Sequence, residues 1–211
     1  MATGSNSRPG MLSQTDLERL IADDAVDTVI VGFTDMQGRL VGKRISARLF
    51  ADDVAAHGAE CCNYLLSVDV DMNTVDGYTI SSWDTGYGDM VMTPDFSTLR
   101  LLPWQPATAL VMADLSWTDG RPVKQAPRSI LQAQLDRLAD RGMTSVAATE
   151  LEFIVFDDSY RAAWAAGYRG LTPATDYNID YAMVASTRME PLLRDIRRGM
   201  EGAGLYCEGV K

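Results

Sequence analysis

The chain has 211 residues, of which 46% are hydrophobic, and it carries a formal net charge of −10 at pH 7. This length allows one large domain or two modest ones with an apolar core. The acidic balance argues against binding to nucleic acid or to an anionic membrane, since both are negatively charged. No apolar run is long enough to span a membrane, and the three cysteines form no spaced disulfide framework, so we expect a cytoplasmic protein.

The first half of the chain contains signals for a helix, a hairpin and a further strand. Residues 1–14 show no periodicity and are expected to form a disordered tail. Thr15 and Glu18 resemble a capping box that opens a short helix. Residues 26–45 predict a β-hairpin with Gly38 in its turn. Further predicted elements are a helix over 46–57, a long loop over 72–90 and a strand over 108–115.

The second half begins near residues 119–122 and is predicted to be a separate α+β domain. Pro127 is well placed for the first turn of a helix, and Gly142 is expected to stop that helix. Residues 157–184 read as irregular. A second helix is predicted over 187–203, because apolar residues recur there at helical spacing.

Two glutamates interrupt the apolar run 146–156, which predicts a strand. Side chains alternate along a strand, so Glu150 and Glu152 share one face, with Cα atoms roughly 6.5–7 Å apart. Two carboxylates at this spacing suit divalent ions such as Mg²⁺, which resolve their repulsion. They also suit a sheet face that lies in water, with both glutamates solvated. Both interpretations of the pair are open on this segment alone.

Several segments resemble glutamine synthetases in order and spacing, over about residues 15–211. The segments that carry this resemblance are Asp-Met-Val-Met-Thr-Pro-Asp-Phe-Ser-Thr at 89–98, Pro-Trp at 103–104, Pro-Arg at 127–128 and Glu-Leu-Glu-Phe at 150–153. Residues 33–39, followed by Gly42 and Lys43, look like the hairpin of that family's N-terminal β-grasp domain. The resemblance implies an α+β fold, with a β-grasp domain over 15–120 and the start of an α/β catalytic domain over 121–211.

The resemblance implies an ATP-dependent ligase that uses Mg²⁺ (or Mn²⁺) and L-glutamate. The glutamate γ-carboxylate is phosphorylated, and ammonia or a small amine displaces the phosphate. By resemblance, Glu152 holds the metal ion nearer glutamate and Glu150 the ion nearer the nucleotide. Glu208 matches a position that contacts ATP, although a solvated glutamate would suit that position equally. Further ligands are expected beyond Lys211, so the 211 residues are expected to be the N-terminal half of the enzyme and inactive alone.

The acceptor side of the reaction is assigned to two aspartates by the same resemblance. Asp76 lies where the family has an Asp-Gly-Ser-Ser loop, whose aspartate attracts ammonium in the active site of a neighbouring subunit. Asp89 is expected to assist it. Tyr78 and Thr79 replace the two serines, so ammonia, polyamines, ethanolamine and other amines are all candidate acceptors. The family forms rings with shared sites, and we expect such self-association here.

Two other classes of function are consistent with the sequence. One is a catalytically dead member of the family that serves as a binding or structural protein. The other is a β-grasp interaction module, in which residues 1–120 fold alone and the two glutamates are dispensable. Tryptophans 83, 104 and 117 are expected to be packing residues. Cys61 and Cys62 are expected to lie in the core.

Overall fold

A computed structural model describes residues 8–84, 86–176 and 178–211 of the chain. Its contacts divide the chain into two compact units, which we describe separately. The first unit runs to Ser145 and includes Gly202–Gly204, and the second comprises Val146–Glu201 and Leu205–Lys211. The domain boundary at 120/121 stays a prediction.

The first unit consists of a mixed sheet and flanking helices. Its strands are β1 (Thr28–Thr34), β2 (Leu40–Ser46), β3 (Ala59–Cys62), β4 (Asp89–Leu101) and β5 (Thr108–Trp117). Its helices are α1 (Gln14–Ala22), α2 (Ala47–Leu49), α3 (Ala55–His57) and α4 (Pro127–Ala139), with a π-helical turn Phe50–Val54 between α2 and α3 and a 3-10 turn Asn63–Leu66 after β3.

The five strands are arranged in the order β2-β1-β5-β4-β3. β1 pairs with β5 in parallel, and every other neighbouring pair is antiparallel. The predicted hairpin is confirmed as β1 and β2, with Gly38 in the turn at φ +80°, a conformation that favours glycine. The predicted strand over 108–115 is confirmed as β5. Neither β3 nor β4 was predicted from the sequence as a strand.

One face of this sheet packs against the helices and forms the core. Alternate residues of β1 and β5 point into it, as period-2 alternation requires, and Phe50 and Leu17 cover them from the helical side. The strand residues with at most 3% exposure are Val29, Val31, Phe33, Met90, Met92, Leu99, Ala109, Val111, Ala113 and Leu115. This continuous apolar layer holds the sheet as one body.

The start of α1 differs from the prediction. Ser13, and not Thr15, is the N-cap: its Oγ accepts a hydrogen bond from the Asp16 backbone N (3.1 Å), and the Asp16 carboxylate accepts one from the Ser13 N (3.1 Å). Residues 1–7 of the predicted tail lie outside the described residues. From Gly10 the chain is held against β4, because Leu101 N donates to Gly10 O at 2.8 Å.

Arg128 joins the start of α4 to the sheet. Its Nη2 lies 2.7 Å from an Asp95 carboxylate oxygen, and its Nε lies 2.9 Å from Asp114. Burial acts to raise the pKa of Asp95, but hydrogen bonds from Ser97 and Arg128 outweigh it and hold the pKa below its ordinary value. The Pro127-Arg128 motif is therefore a structural link, with Pro127 in the first turn of α4 as predicted.

The described residues of the second unit form the helices α5 (Tyr160–Ala165), α6 (Met183–Arg188) and α7 (Glu190–Gly202), of which α7 ends at Gly202 of the first unit. α5 lies in the stretch predicted to be irregular. The single helix predicted over 187–203 is divided between α6 and α7 at Met189, the C-cap residue of α6. An i, i+7 ion pair between Glu190 and Arg197 supports one side of α7.

Candidate functional site

The segment 146–156 carries the predicted metal ligands, and its structure differs from the prediction. No strand lies between residues 144 and 155; only Phe156 forms an isolated bridge, to Pro173. Val146 is 98% exposed and Leu151 82%. A strand exists only where its backbone groups pair with a neighbouring strand. The described residues supply no such neighbour here, so the apolar run stays open.

Glu150 and Glu152 both lie exposed in this segment. The Oε1 of Glu150 lies 3.2 Å from the Nζ of Lys211, and that ammonium also lies over the ring of Tyr181, 4.9 Å from its centre. The hydrogen bond to Glu150, and then the charge of Asp180, raises the pKa of Lys211. Glu152 has no hydrogen bond or ion pair within the described residues. In the structure a lysine therefore neutralises one member of the pair.

These residues do not form a metal site by themselves. In the part of the chain that the structure describes, no group of three or more His, Cys, Asp or Glu side chains is arranged to hold a metal ion. Two carboxylates fall short of the six oxygen ligands that Mg²⁺ takes. Glu208, the predicted ATP contact, is exposed near the end of the same unit. The roles of these three glutamates stay predictions.

Asp76 lies exposed in the long loop between the 3-10 turn and β4. The chain before it forms a small closed turn. Val75 N donates to Ser67 O at 3.2 Å, and Asp69 N donates to Asn73 O at 2.9 Å. The Asp69 carboxylate accepts hydrogen bonds from the backbone N of Asp71 and of Asn73. Asp76 therefore directly follows a fixed stretch of backbone.

Three buried polar side chains hold the rest of this loop. The hydroxyls of Ser67 and Ser81 lie 2.5 Å apart, and both residues are at most 2% exposed. Asn63 donates to Ile80 O at 3.0 Å and accepts from Gly88 N at 3.2 Å. A buried amide or hydroxyl costs free energy unless it is hydrogen-bonded, so these pairs fix both ends of the loop.

Asp89 lies at the first residue of β4, opposite Cys62 of β3. It lines an open cavity of about 310 Å³ together with Lys43 and Glu60. The neighbouring Cys61 is buried, and burial raises the pKa of its thiol to about 11, so it stays protonated and is a poor nucleophile. Cys62, which was expected in the core, is exposed. The predicted catalytic residue Asp89 thus lines a cavity that also contains a lysine and a second carboxylate.

A second cavity of about 290 Å³ adjoins the first through Cys62 and Tyr64, which line both. Its remaining lining residues are Thr74, Trp83 and Tyr87. The ring of Tyr87 meets Trp83 edge-on at 5.3 Å and Tyr64 at 6.1 Å. Trp83 was expected to be a packing residue but is 75% exposed. The loop of Asp76 therefore presents an aromatic surface to its surroundings.

Sequence reasoning missed the polar residues that hold this loop. Asn63 was visible as the one polar residue of the apolar run 61–66, but its partners lie 17 and 25 residues away. Gln37 and Arg39 belong to the hairpin motif, and their side chains reach the loop about 30 residues further along the chain. No spacing rule predicts contacts at such separations.

None of the helices in the described residues is both long and apolar enough to cross a membrane. Comparisons with known proteins identify the family. The glutamine synthetase catalytic domain family matches residues 124–211. The chain is 58% identical, over 95% of its length, to gamma-glutamylethanolamide synthetase GlnA4 of Streptomyces coelicolor, of which it covers 43%. It is 32% identical, over 88% of its length, to glutamate–isopropylamine ligase of a Pseudomonas species, of which it covers 40%.

The chain therefore spans less than half the length of these curated relatives. Among solved structures, ligand-free GmaS matches 89% of this chain with a TM-score of 0.61 and 22% identity, and the match covers 39% of that protein. This likeness concerns the fold alone. The ordered motifs, the family match and the identity to GlnA4 together lead to one conclusion: the chain belongs to the glutamine synthetase family.

Proposed function

We propose that this chain is part of an ATP- and divalent-metal-dependent ligase that joins the γ-carboxylate of L-glutamate to a small organic amine. The observation that carries the proposal is the 58% identity to a protein named gamma-glutamylethanolamide synthetase. A second relative is named glutamate–isopropylamine ligase. Both names describe a glutamate amide of a primary amine. A primary amine, with ammonia as the weaker acceptor, is therefore the expected substrate.

The chemistry needs two steps. An oxygen of the γ-carboxylate attacks the terminal phosphorus of ATP, and ADP leaves, so the carboxylate becomes an acyl phosphate. The amine nitrogen then attacks the carbonyl carbon, the carbon–oxygen bond to phosphate breaks, and the amide and inorganic phosphate form. An alkylammonium ion must lose a proton before its nitrogen can attack. A carboxylate close to the amine favours its arrival and can accept that proton.

Asp76 is the proposed carboxylate for the amine. It is exposed, and its loop is held at both ends by buried hydrogen bonds, so its position is defined. Asp89 in the adjoining cavity is the proposed assistant. No lysine or arginine occurs between Arg48 and Arg100 in the sequence, so the loop itself carries neither residue. Lys43 lines the cavity of Asp89, while Arg39 is occupied by the loop carbonyls and Asp35. These features support an acceptor that arrives as a cation.

The aromatic cavity supports an organic acceptor over ammonia. Thr74 lines this cavity and lies two residues before Asp76. Aromatic side chains gain free energy when apolar groups cover them, and they attract ammonium groups through their faces. Ammonia has no carbon to place there. Trp83, as the most exposed ring of the cluster, is the proposed contact for the carbon part of the amine.

The remaining assignments belong to the same proposal and need more protein than these 211 residues. Glu150 and Glu152 are proposed metal ligands that act together with carboxylates from the rest of the enzyme, and Glu208 is the proposed ATP contact. The β-grasp assignment of the first unit is supported by its hairpin and its parallel β1–β5 pair. Rings with Asp76 acting in the neighbouring subunit complete the proposal, and the 211 residues alone are expected to be inactive.

The test uses the complete gene product. Purified enzyme is given L-glutamate, ATP and Mg²⁺ with ethanolamine, isopropylamine or ammonia, and the amide is identified by mass spectrometry while phosphate release is measured. We expect amide formation with at least one organic amine at a higher kcat/KM than with ammonia. Absence of any amide would overturn the ligase proposal and favour a catalytically dead member of the family. A preference for ammonia would overturn only the choice of acceptor.

A further inference from the structure

Two side chains of the turn between β1 and β2 hydrogen-bond to the loop that carries Asp76. Gln37 Nε2 donates a hydrogen bond to Val68 O at 2.9 Å. Arg39 Nη1 donates to Val70 O at 2.7 Å, and its Nη2 lies 3.5 Å from Asp69 O. Three consecutive carbonyls of the loop are therefore held by two side chains that lie about 30 residues earlier in the chain.

A buried carboxylate fixes the arginine that makes these contacts. Asp35 is 2% exposed, and its Oδ2 accepts a hydrogen bond from Arg39 Nε at 2.6 Å. Its Oδ1 accepts from the backbone N of Gln37 and of Arg39, each at 2.9 Å. Both terminal nitrogens of the guanidinium then face the loop, and Nη2 also donates to Gln37 Oε1 at 3.3 Å. Only a planar group with several donors can serve a carboxylate and separate carbonyls at once.

The gripped carbonyls lie in the closed turn that ends next to Asp76. Val68 pairs with Thr74 in an isolated bridge, and Val75 N donates to Ser67 O at 3.2 Å. Movement of residues 68–70 is therefore transmitted to Val75, and Asp76 is covalently attached to it. The hydroxyl pair of Ser67 and Ser81 holds the other side of Asp76. The carboxylate thus lies between two anchors, one of which depends on the β1–β2 turn.

We propose that Arg39 and Gln37 are positioning residues for the acceptor amine: they fix the loop turn at 68–70 and so set where Asp76 stands when the amine binds. This inference rests on the proposed role of Asp76. Neither residue is expected to touch the amine. Loss of these hydrogen bonds should lower kcat/KM for the amine, while the binding of glutamate and ATP stays the same.

The test compares four variants of the complete gene product: Arg39→Ala, Arg39→Lys, Gln37→Ala and Arg44→Ala. Arg44 is the control arginine, because it lies on the adjoining strand β2, is exposed, and hydrogen-bonds Gln105 instead of the loop. Gln37→Ala leaves the Asp35–Arg39 pair intact and removes the bond to Val68 O, together with the weaker bond of 3.3 Å from Arg39 Nη2 to Gln37 Oε1. It therefore stays informative if Arg39→Ala fails to fold.

Hydrogen–deuterium exchange of residues 68–76 is the first measurement, and steady-state kinetics for each substrate is the second. We expect faster exchange in Arg39→Ala and Gln37→Ala and no change in Arg44→Ala. A misplacement of the order of 1 Å lowers rates by as much as about a hundredfold. We expect kcat/KM for the amine to fall about 10- to 100-fold in Arg39→Ala and less in Gln37→Ala, with partial recovery in Arg39→Lys. The KM values for glutamate and ATP should stay within about twofold.

Unchanged hydrogen–deuterium exchange in both Arg39→Ala and Gln37→Ala would show that these side chains do not hold the loop. Faster exchange with unchanged amine kinetics would overturn the positioning role, as would an equal rise in the KM values of all three substrates. If the wild-type enzyme forms no amide with any amine, the proposed function fails. In that case the exchange experiment still decides whether the β1–β2 turn holds the loop.

Discussion

β5 and the segment 146–156 have similar sequence patterns and opposite structures. Both are rich in apolar and β-branched residues, and both were predicted to be strands. In β5, Ala109 and Val111 are fully buried, and β1 and β4 pair with it on both edges. In the other segment, Val146 is 98% exposed. A β pattern states that a segment requires partners, but it does not supply them.

The largest effect on activity is expected from a substitution in the exposed segment 146–156, although this substitution should leave the fold unchanged. Glu152→Gln keeps the shape of the side chain and removes a proposed metal ligand. Changes that only orient a metal ligand cost about 10- to 100-fold, so loss of a ligand should reduce the activity of the complete enzyme by more than about a hundredfold. Glu201→Gln, an exposed change on α7, is the control. Near-normal activity of Glu152→Gln with an unchanged fold would favour the solvated-face interpretation.

A second experiment tests whether Asp76 of one subunit and Glu152 of another act in the same active site of the complete enzyme. Complete enzymes carrying Asp76→Ala or Glu152→Ala are each expected to be inactive. If Asp76 acts in the site of a neighbouring subunit, mixed rings contain some sites with both wild-type residues, and activity partly returns after subunit exchange. A fluorescence assay should confirm that exchange occurs. Exchange without recovery would show that Asp76 acts within its own chain or not at all.

The free energy of unfolding should depend strongly on the core of the sheet and hardly at all on the segment 146–156. Phe33→Ala removes a ring that is 2% exposed from the core of the sheet and should lower the free energy of unfolding by about 3–5 kcal/mol. Phe153→Ala, the matched change in the open segment, should alter it by less than about 0.5 kcal/mol. Urea unfolding of the 211-residue chain, followed by circular dichroism, measures both. An equal loss in the two variants would mean that the open segment is packed in solution.

The sequence predicts β1, β2, β5 and α4 because local signals define them. The turn at Gly38 and the proline at 127 act within a few residues of where they occur. β3 has only four residues, too few for an alternating pattern to show, although Gly58 directly precedes it. The strand predicted over 146–156 was wrong for the opposite reason. Its apolar pattern is strong, but a strand also needs a pairing partner from elsewhere.

The residues of the candidate site likewise fall into two groups: those that a local motif identifies and those that only the tertiary fold brings together. Asp76 was identified from a motif, and its role stays a prediction; the structure shows that its loop is held by hydrogen bonds on both sides. The residues that anchor it were missed. Arg39 reaches Val70 across 31 residues, and Ser67 reaches Ser81 across 14. Contacts of this kind depend on the tertiary fold, and no periodicity in one sequence encodes them.

The acid response of the sheet unit should depend on Asp35. Burial acts to raise its pKa, but hydrogen bonds from the Arg39 side chain and from the backbone of Arg39 and Gln37 outweigh this and lower the pKa below 3.8. A lowered pKa in the folded state stabilises the protein above the unfolded value and loses that contribution as the pH falls through the folded value. Asp35→Asn should therefore flatten the fall in unfolding free energy below about pH 4. Asp140→Asn, an exposed change, should leave the slope unchanged, and equal slopes in both variants would contradict the role of Asp35.

The smallest effect separates the observed helix cap from the predicted one. Ser13→Ala removes the hydroxyl that caps α1 and should cost about 1 kcal/mol of stability. Thr15→Ala changes the residue that the sequence favoured as the cap, and it should be nearly neutral. Thermal unfolding of the two variants side by side measures the difference. A larger loss for Thr15→Ala would restore the predicted capping box.

The parallel pair at the centre of the sheet has a consequence for how the protein is made. Thr28 pairs with Thr108, so β1 must wait for a partner that is synthesised 80 residues later. At about 5–20 residues per second, the edge of β1 that later pairs with β5 stays unpaired for roughly 4 to 16 seconds. An open strand edge invites pairing with other chains. Slow translation between β2 and β5 should therefore favour aggregation of the nascent chain over correct folding.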